Sequence, residues 1–435
     1  MNPLAQELND QIRSANPHVA DMLSPLGREM FFPKGILAQS AEAKAKAKRH
    51  NATIGQARED GHAMFLPSVM SSVNGLSPDE TLNYAPVTGL PGLREAWVKK
   101  MLHDNPSLEG VAMSKPIVTN GLTHALSLVG DLFVDAGDTI LLPDKIWGNY
   151  RLTFCVRNGA KIASYPFYGE KGGFNVEGFR AALLDLCGKM EKVIVLLNFP
   201  NNPTGYTPTR DEARRIADAL IEAAEGGTNI VAMTDDAYFS LFYDDDAATE
   251  SLFGLIAGKH DRLLAVKGDA ATKEVFVWGL RVGFLSFSVG GAAADSPLYG
   301  ALEKKVSGAI RSAISNGCAL SQRIVLKSLT SPTFYDERKA KRDVLCGRAM
   351  EVKRVLADPN YTEVWEPYDF NSGYFMCIRL KNVTAEALRV YLLDKYETGT
   401  IATADRDLRV AFSCVESDRI ADLFETIYKA AKEIA

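Results

Sequence analysis

The chain has 435 residues, 46% hydrophobic and 24% charged, a balance that fits soluble globular domains and excludes disordered and collagen-like classes. That length exceeds a single hydrophobic core and predicts two closely connected domains. Forty-nine basic against 54 acidic residues leave a net charge of −5, which argues against nucleic acid as the main partner and still allows local basic pockets for an anion. The first residues carry Glu7 and Asp10 and lack an apolar core, so they do not read as a secretory signal. No apolar run reaches membrane-spanning length, and no membrane partner is expected. Six cysteines (Cys155, Cys187, Cys318, Cys346, Cys377, Cys414) lie far apart without C-x-x-C spacing, the pattern of reduced residues in a cytoplasmic enzyme. The histidines are equally scattered, and no metal site is expected.

The first fifty residues read as an arm. Leu4, Leu8 and Ile12 share one helical face, and a second helix is expected through residues 41–50 (AEAKAKAKRH), whose basic run reads as a solvated face in preference to an anion patch. From about residue 115, strand and helix alternate. Residues 116–120 (PIVTN) read as a short strand and 121–135 as the helix after it. Residues 139–143 and 193–199 are apolar runs of buried-strand type, with helical spacing at 176–186 between them. In the next helix Ala213, Ile216, Leu220 and Ala223 form one apolar face, and Gly226 and Gly227 stop it. Residues 229–236, 262–269 and 281–289 supply further strands. This alternation predicts an α/β fold with a mostly parallel sheet covered by helices on both faces. Residues 374–380, 385–393 and 407–415, followed by a terminal helix, read as a smaller α+β domain. Its boundary is expected in a helix between residues 310 and 345.

Several strand ends carry polar groups, and in open α/β sheets ligands bind at that edge. Residues 198–209 (NFPNNPTGYTPT) force a tight turn after an apolar strand, although such residues also make ordinary loops. The next strand ends in Asp235, Asp236 and Tyr238. A carboxylate there can hold a protonated heterocycle nitrogen and a tyrosine a phenolate, while two aspartates also serve as helix caps. Lys273 precedes Arg281 by eight residues. Burial beside another cation makes such a lysine a nucleophile toward an aldehyde, and the arginine can clamp a phosphate; otherwise both are surface cations. Gly121, Leu122 and Thr123 open a helix after a strand, a position that suits an anion but that every helix possesses. Trp147, past another strand end, is placed to stack on an aromatic ring or to sit in the core. Together the five strand ends offer what one phosphorylated, pyridine-like aldehyde needs.

From about residue 50 to its end, the order and spacing of these segments resemble the fold-type I pyridoxal-phosphate enzymes, specifically the class I/II aminotransferases. The resemblance implies pyridoxal 5′-phosphate as cofactor, held as a Schiff base by Lys273 with Arg281 on its phosphate. Lys267 is the rival lysine but lacks the spacing to the arginine. The N-P-T-G step implies that Asn202 bonds the cofactor's 3′-oxygen. D-x-A-Y implies Asp235, not Asp236, at the pyridine nitrogen and Tyr238 at the 3′-oxygen. Residues 84–96 (YAPVTGLPGLREA) resemble the segment whose tyrosine, here Tyr84, reaches the phosphate in the neighbouring subunit. Residues 408–413 (LRVAFS) imply Arg409 as the fork for the substrate α-carboxylate, and residues 51–56 (NATIGQ) imply Gly55 beside it. Ala270 departs from the family's usual Ser or Thr three residues before the lysine, a contact left to Thr272 or another group. The early loop also lacks the usual G-x-P.

The resemblance implies a fold-type I transferase divided into residues 1–75 (arm and part of the small domain), 76–325 (large cofactor-binding domain) and 326–435 (C-terminal small domain). It implies a homodimer with shared sites and a ping-pong exchange between an L-amino acid and a 2-oxo acid. Residues 310–317 (IRSAISNG) are similar to the segment in aspartate and aromatic aminotransferases whose arginine crosses the dimer interface. On that basis Arg311 either recognises a side-chain carboxylate or is a solvated helix residue, and Trp147 matches the stacking tryptophan of that subgroup. A β-lyase, a decarboxylase or a synthase on the same scaffold is the alternative. A non-catalytic sensor domain is the more distant one.

Overall fold

The computed structural model describes residues 1–31 and 35–435. The apolar runs assemble into a seven-stranded sheet: β1 (Ile117–Thr119), β2 (Thr139–Pro143), β3 (Lys161–Tyr165), β4 (Lys192–Asn198), β5 (Asn229–Asp235), β6 (Leu263–Ala270) and β7 (Gly283–Ser288), in the order β1-β7-β6-β5-β4-β2-β3. β2 to β6 pair in parallel, and β7 runs antiparallel to both β1 and β6. Strands covered on both faces must be apolar throughout, and β4 and β5 are buried from their second residue to their last. Register then positions the site. Asn198 stands opposite Asp235, and Asp235 opposite Gly268, so the C-terminal ends of β4, β5 and β6 lie side by side.

The expected elements form with small changes of boundary. In chain order the helices that matter here are α1 (Pro3–Ala15), α2 (Ile36–Lys46), α3 (Pro91–Asp104), α4 (Leu122–Phe133), α5 (Val176–Cys187), α6 (Arg210–Glu225), the single turn α7 (Ala271–Glu274), α8 (Pro297–Ala313), α9 (Ala319–Leu329) and α10 (Phe334–Leu356). α6 shows how sequence fixes an element. Thr209 and Glu212 form a reciprocal capping box, and Ala213, Ile216, Leu220 and Ala223 are all buried. A second sheet, β8 (Trp365–Pro367), β9 (Met376–Leu380), β10 (Ile401–Ala402) and β11 (Asp407–Val410), is antiparallel in the order β8-β9-β11-β10. The early chain joins this part, because His50–Asn51 pairs in parallel with Thr398–Gly399.

α1 forms as expected, with Leu8 exposed and Ala5 buried. Two other expectations are corrected. The basic run at 41–50 is not one helix: α2 ends at Lys46. Its bases stay at the surface, where Lys46 pairs with Asp394 at 2.7 Å and Arg49 with Asp422 at 2.5 Å. Residues 310–345 hold no single boundary helix, since α8 ends there, α9 lies wholly within, and α10 begins.

Candidate active site

The strand ends surround a cavity of about 200 Å³ lined by residues from β4, β5, the turns after β1, β2 and β6, α2, and the second sheet. Lys273 sits in α7, immediately after β6, and is half-buried at the cavity wall. Its Nζ lies 4.6 Å from the ring centre of Tyr238, and among the described residues no carboxylate pairs with it. Burial lowers its pKa to about 8, with Arg281 adding to the effect and Asp235 opposing it. Lys267 is the opposite case. Burial works against its charge, but Asp236 and Asp269 hold it firmly protonated, with Asp269 at 2.6 Å. Lys267 does not line the cavity.

Asp235 ends β5 with its side chain in the cavity. One carboxylate oxygen accepts the Tyr150 hydroxyl at 2.6 Å and the other accepts the Ala237 N–H at 3.1 Å. Burial raises its pKa, and the Tyr150 bond restrains that rise. Asp236 turns the other way and pairs with Lys267. Tyr238 and Asn202 both line the cavity. Asn202 is fixed by its own N–H donating to Asn198 Oδ1 at 2.9 Å, and its Oδ1 accepts from Arg409, leaving its amide hydrogens for a ligand.

Gly121, Leu122 and Thr123 form a cradle with Arg281. Gly121 has φ +77, and a Cβ there would stand 2.2 Å from an Arg281 guanidinium nitrogen. The arginine therefore lies directly against the turn that opens α4, a helix start without a side-chain cap. Arg281 donates to the Trp278 carbonyl at 3.1 Å and joins none of the ion pairs among the described residues. An open helix N-terminus beside an uncompensated guanidinium suits a phosphate. Trp147 lines the cavity edge-on to Tyr150, with centroids 5.6 Å apart.

Arg409 leaves β11 fully buried, 4.1 Å over the Phe375 ring, donating to Asn202 Oδ1 at 2.9 Å and to the Thr53 carbonyl at 2.8 Å. Its Nε is buried without a partner, and no carboxylate pairs with it among the described residues. Such a group fits a bound carboxylate. Gly55 lines the same cavity, where a Cβ would meet Tyr238 Oη and Phe375 at 3.2 Å. Thr272 lines the cavity and Ala270 ends β6. Tyr84 and Arg311 are not brought in. Tyr84 is 90% exposed, and Arg311, also exposed, donates to Ser315 Oγ at 2.5 Å.

The sequence reading did not single out Tyr150, Asn198, Phe375 or Ile36, which also line the cavity. Tyr150 follows Trp147 by three residues, a spacing that puts both on one face of a turn. Asn198 is the polar residue closing an apolar strand. Ile36 and Phe375 carry no comparable signal.

Over residues 51–427 the chain matches the family Aminotransferase class I and II, and it belongs to that family. Its family and fold are those of transaminases. Over 359 residues it is 26% identical to a cytoplasmic aspartate aminotransferase of Caenorhabditis elegans, covering 79% of this chain and 84% of that one. Over 365 residues it is 26% identical to a probable aspartate/prephenate aminotransferase of Aquifex aeolicus, covering 81% and 84%. An aminotransferase structure from Anaerococcus prevotii shares the fold with a TM-score of 0.82, at 22% identity over 92% of this chain and 97% of that one.

Proposed function

We propose that the chain is a pyridoxal 5′-phosphate-dependent amino-acid aminotransferase with Lys273 as the cofactor's covalent anchor. The observation that carries this reading is a half-buried lysine, free of ion pairs among the described residues, with its amine lowered to about pKa 8 at the edge of a cavity. The cradle of Gly121 and Arg281 and the orphaned Nε of Arg409 fit a phosphate and a carboxylate at the walls of that cavity.

Bound there, the cofactor supplies an aldehyde that exchanges amines and a protonated pyridine ring that draws electrons from the substrate α-carbon. The side chains do the rest. Arg281 and the backbone N–H groups of Leu122 and Thr123 hold the phosphate, with Thr272 in place of the hydroxyl that Ala270 lacks. Asp235, braced by Tyr150, keeps the pyridine nitrogen protonated. Asn202 and Tyr238 donate to the 3′-oxygen, and Trp147 covers the ring. Arg409, beside Gly55, takes the substrate α-carboxylate. With the cofactor bound, Lys273 Nζ would be the base that takes the proton from the substrate α-carbon and returns it. Departure of one 2-oxo acid before the next binds makes the exchange ping-pong.

Aspartate, glutamate or an aromatic amino acid is the favoured donor, a reading supported by the names of the relatives. Tyr84 and Arg311 serve the site of a second copy in a homodimer, which agrees with their exposure in one chain. No described helix is long and apolar enough to cross a membrane, and the cytoplasm is the proposed location. Borohydride reduction of the cofactor-loaded protein should fix the cofactor on a peptide containing Lys273. Recovery on a peptide containing Lys267 would overturn the assignment.

A further inference from the structure

Behind the cavity lies an arrangement that this chemistry does not use. Asp236 and Glu274 directly follow Asp235 and Lys273, and each turns into a buried charge network. On one side Lys267 joins Asp236 and, at 2.6 Å, Asp269, whose other oxygen accepts from Trp97 Nε1 at 3.1 Å. On the other side Lys100 of α3 joins Glu274 and, at 2.8 Å, Asp104, which Arg338 of α10 grips with bonds of 2.7 and 2.8 Å. The ammonium groups of Lys100 and Lys267 lie 5.6 and 5.1 Å from the ring centre of Phe239, which joins the two halves. Lys100 and Glu274 are 4% and 0% exposed.

Stability is a weak reason for such a pair. A buried ion pair is often no better than apolar residues of the same volume, and here Glu274 Oε1 has no partner among the described residues. Geometry offers a better one. α7 is a helix of four residues without a side-chain cap, too short to be held by its own hydrogen bonds. Its last residue is tied to α3 through Lys100, one position from the amine that must reach the cavity. We propose that Lys100 and Glu274 are positioning residues: their pair anchors α7 to α3 and so sets where Lys273 Nζ stands relative to Asp235. The inference rests on Lys273 being the reactive lysine. The charged groups facing Glu274 are Lys100 and Asp104 of α3, Asp269 of β6 and Arg338 of α10, and burial among them raises its carboxyl to about 7. A neutral glutamine therefore imitates one of its natural states.

The test compares Glu274→Gln with Glu274→Ala in the holoenzyme, using L-aspartate as donor and 2-oxoglutarate as acceptor. Glutamine keeps an oxygen for Lys100 and should lose at most about threefold in kcat. Alanine cuts the link and should lose at least about tenfold in kcat with KM within about twofold, given that an ångström of misplacement costs about a hundredfold. The pH midpoint of the visible absorbance should move in the alanine variant and hold in the glutamine variant. Wild-type kcat and midpoint in Glu274→Ala, with only a lower melting temperature, would overturn the proposal. If that variant does not fold, the double variant Lys100→Met, Glu274→Gln removes the link without leaving a lone buried charge. It should show the same loss, and wild-type turnover in it would equally overturn the proposal. Borohydride trapping keeps the two readings apart: an adduct on Lys273 with full turnover in the variants defeats only the positioning role, and an adduct on another lysine defeats the reading beneath it.

Discussion

Lys267 and Lys273 lie six residues apart on one strand and the turn after it, and their surroundings give them opposite characters. Two carboxylates hold Lys267 charged, whereas Lys273 is half-buried with no acid paired to it among the described residues. That state burdens folding. An ordinary lysine keeps its proton to about 10.5 and Lys273 to about 8, so between those values the unfolded chain binds more protons than the folded one. Stability therefore rises with pH across that window, and the penalty is complete below pH 8. Lys273→Met removes the penalty. The cofactor-free variant should exceed the parent by up to about 3 kcal/mol at neutral pH, a gain that fades as pH approaches the ordinary lysine value. Urea unfolding near pH 7 and pH 10 checks this, and an equal gain at both would assign the effect to packing rather than charge. Sequence spacing favoured Lys273; of the ion pairs that disqualify Lys267, the one to Asp269 lies two residues along the same strand, but the one to Asp236 crosses strands and is not written in local spacing.

At the scale of elements, most strands and helices were legible because apolar runs and amphipathic faces record which side is buried. β2 matches its expected residues, and α6 carries both its cap and its buried face in plain view. α2 was harder to read. An Ala/Lys run has high helix propensity, but it yields at Lys46 because His50–Asn51 is needed as a strand partner for Thr398–Gly399. Tyr150 was missed because it acts through Asp235, eighty-five positions away in sequence. The turn from β1 into α4 gives the sharpest prediction at this scale. Gly121→Ala would strain a positive-φ position, and its Cβ would push the Arg281 guanidinium off the turn. The fold should survive, since the displaced atoms end a flexible side chain. Cofactor affinity should fall by about 1–3 kcal/mol, the scale of one lost charge-assisted hydrogen bond. Equilibrium dialysis of the cofactor checks it, and unchanged affinity would place the phosphate elsewhere.

For the molecule as a whole, sequence order brought Gly55, Leu122, Thr123, Trp147, Asn202, Asp235, Tyr238, Lys273, Arg281 and Arg409 to one cavity, set Gly121 against Arg281 at its wall, and left Tyr84 and Arg311 outside it. The two outliers are those whose proposed role lies in a second copy, where a single chain gives no geometry. If Arg311 meets a side-chain carboxylate there, Arg311→Ala should cost acidic donors about 2–5 kcal/mol in kcat/KM and cost phenylalanine far less, because Arg409 still holds the α-carboxylate. Equal losses for both donors would make Arg311 structural. The central claim, transamination through Lys273, is tested most directly by a single half-reaction. Cofactor-loaded protein is mixed with excess L-aspartate, L-glutamate or L-phenylalanine and no 2-oxo acid acceptor, and the products are counted. The account predicts one equivalent of 2-oxo acid per subunit from at least one donor, with the nitrogen retained on the protein and no release from Lys273→Ala. Free ammonia or carbon dioxide formed beyond one equivalent, or an undiminished burst from Lys273→Ala, would contradict it.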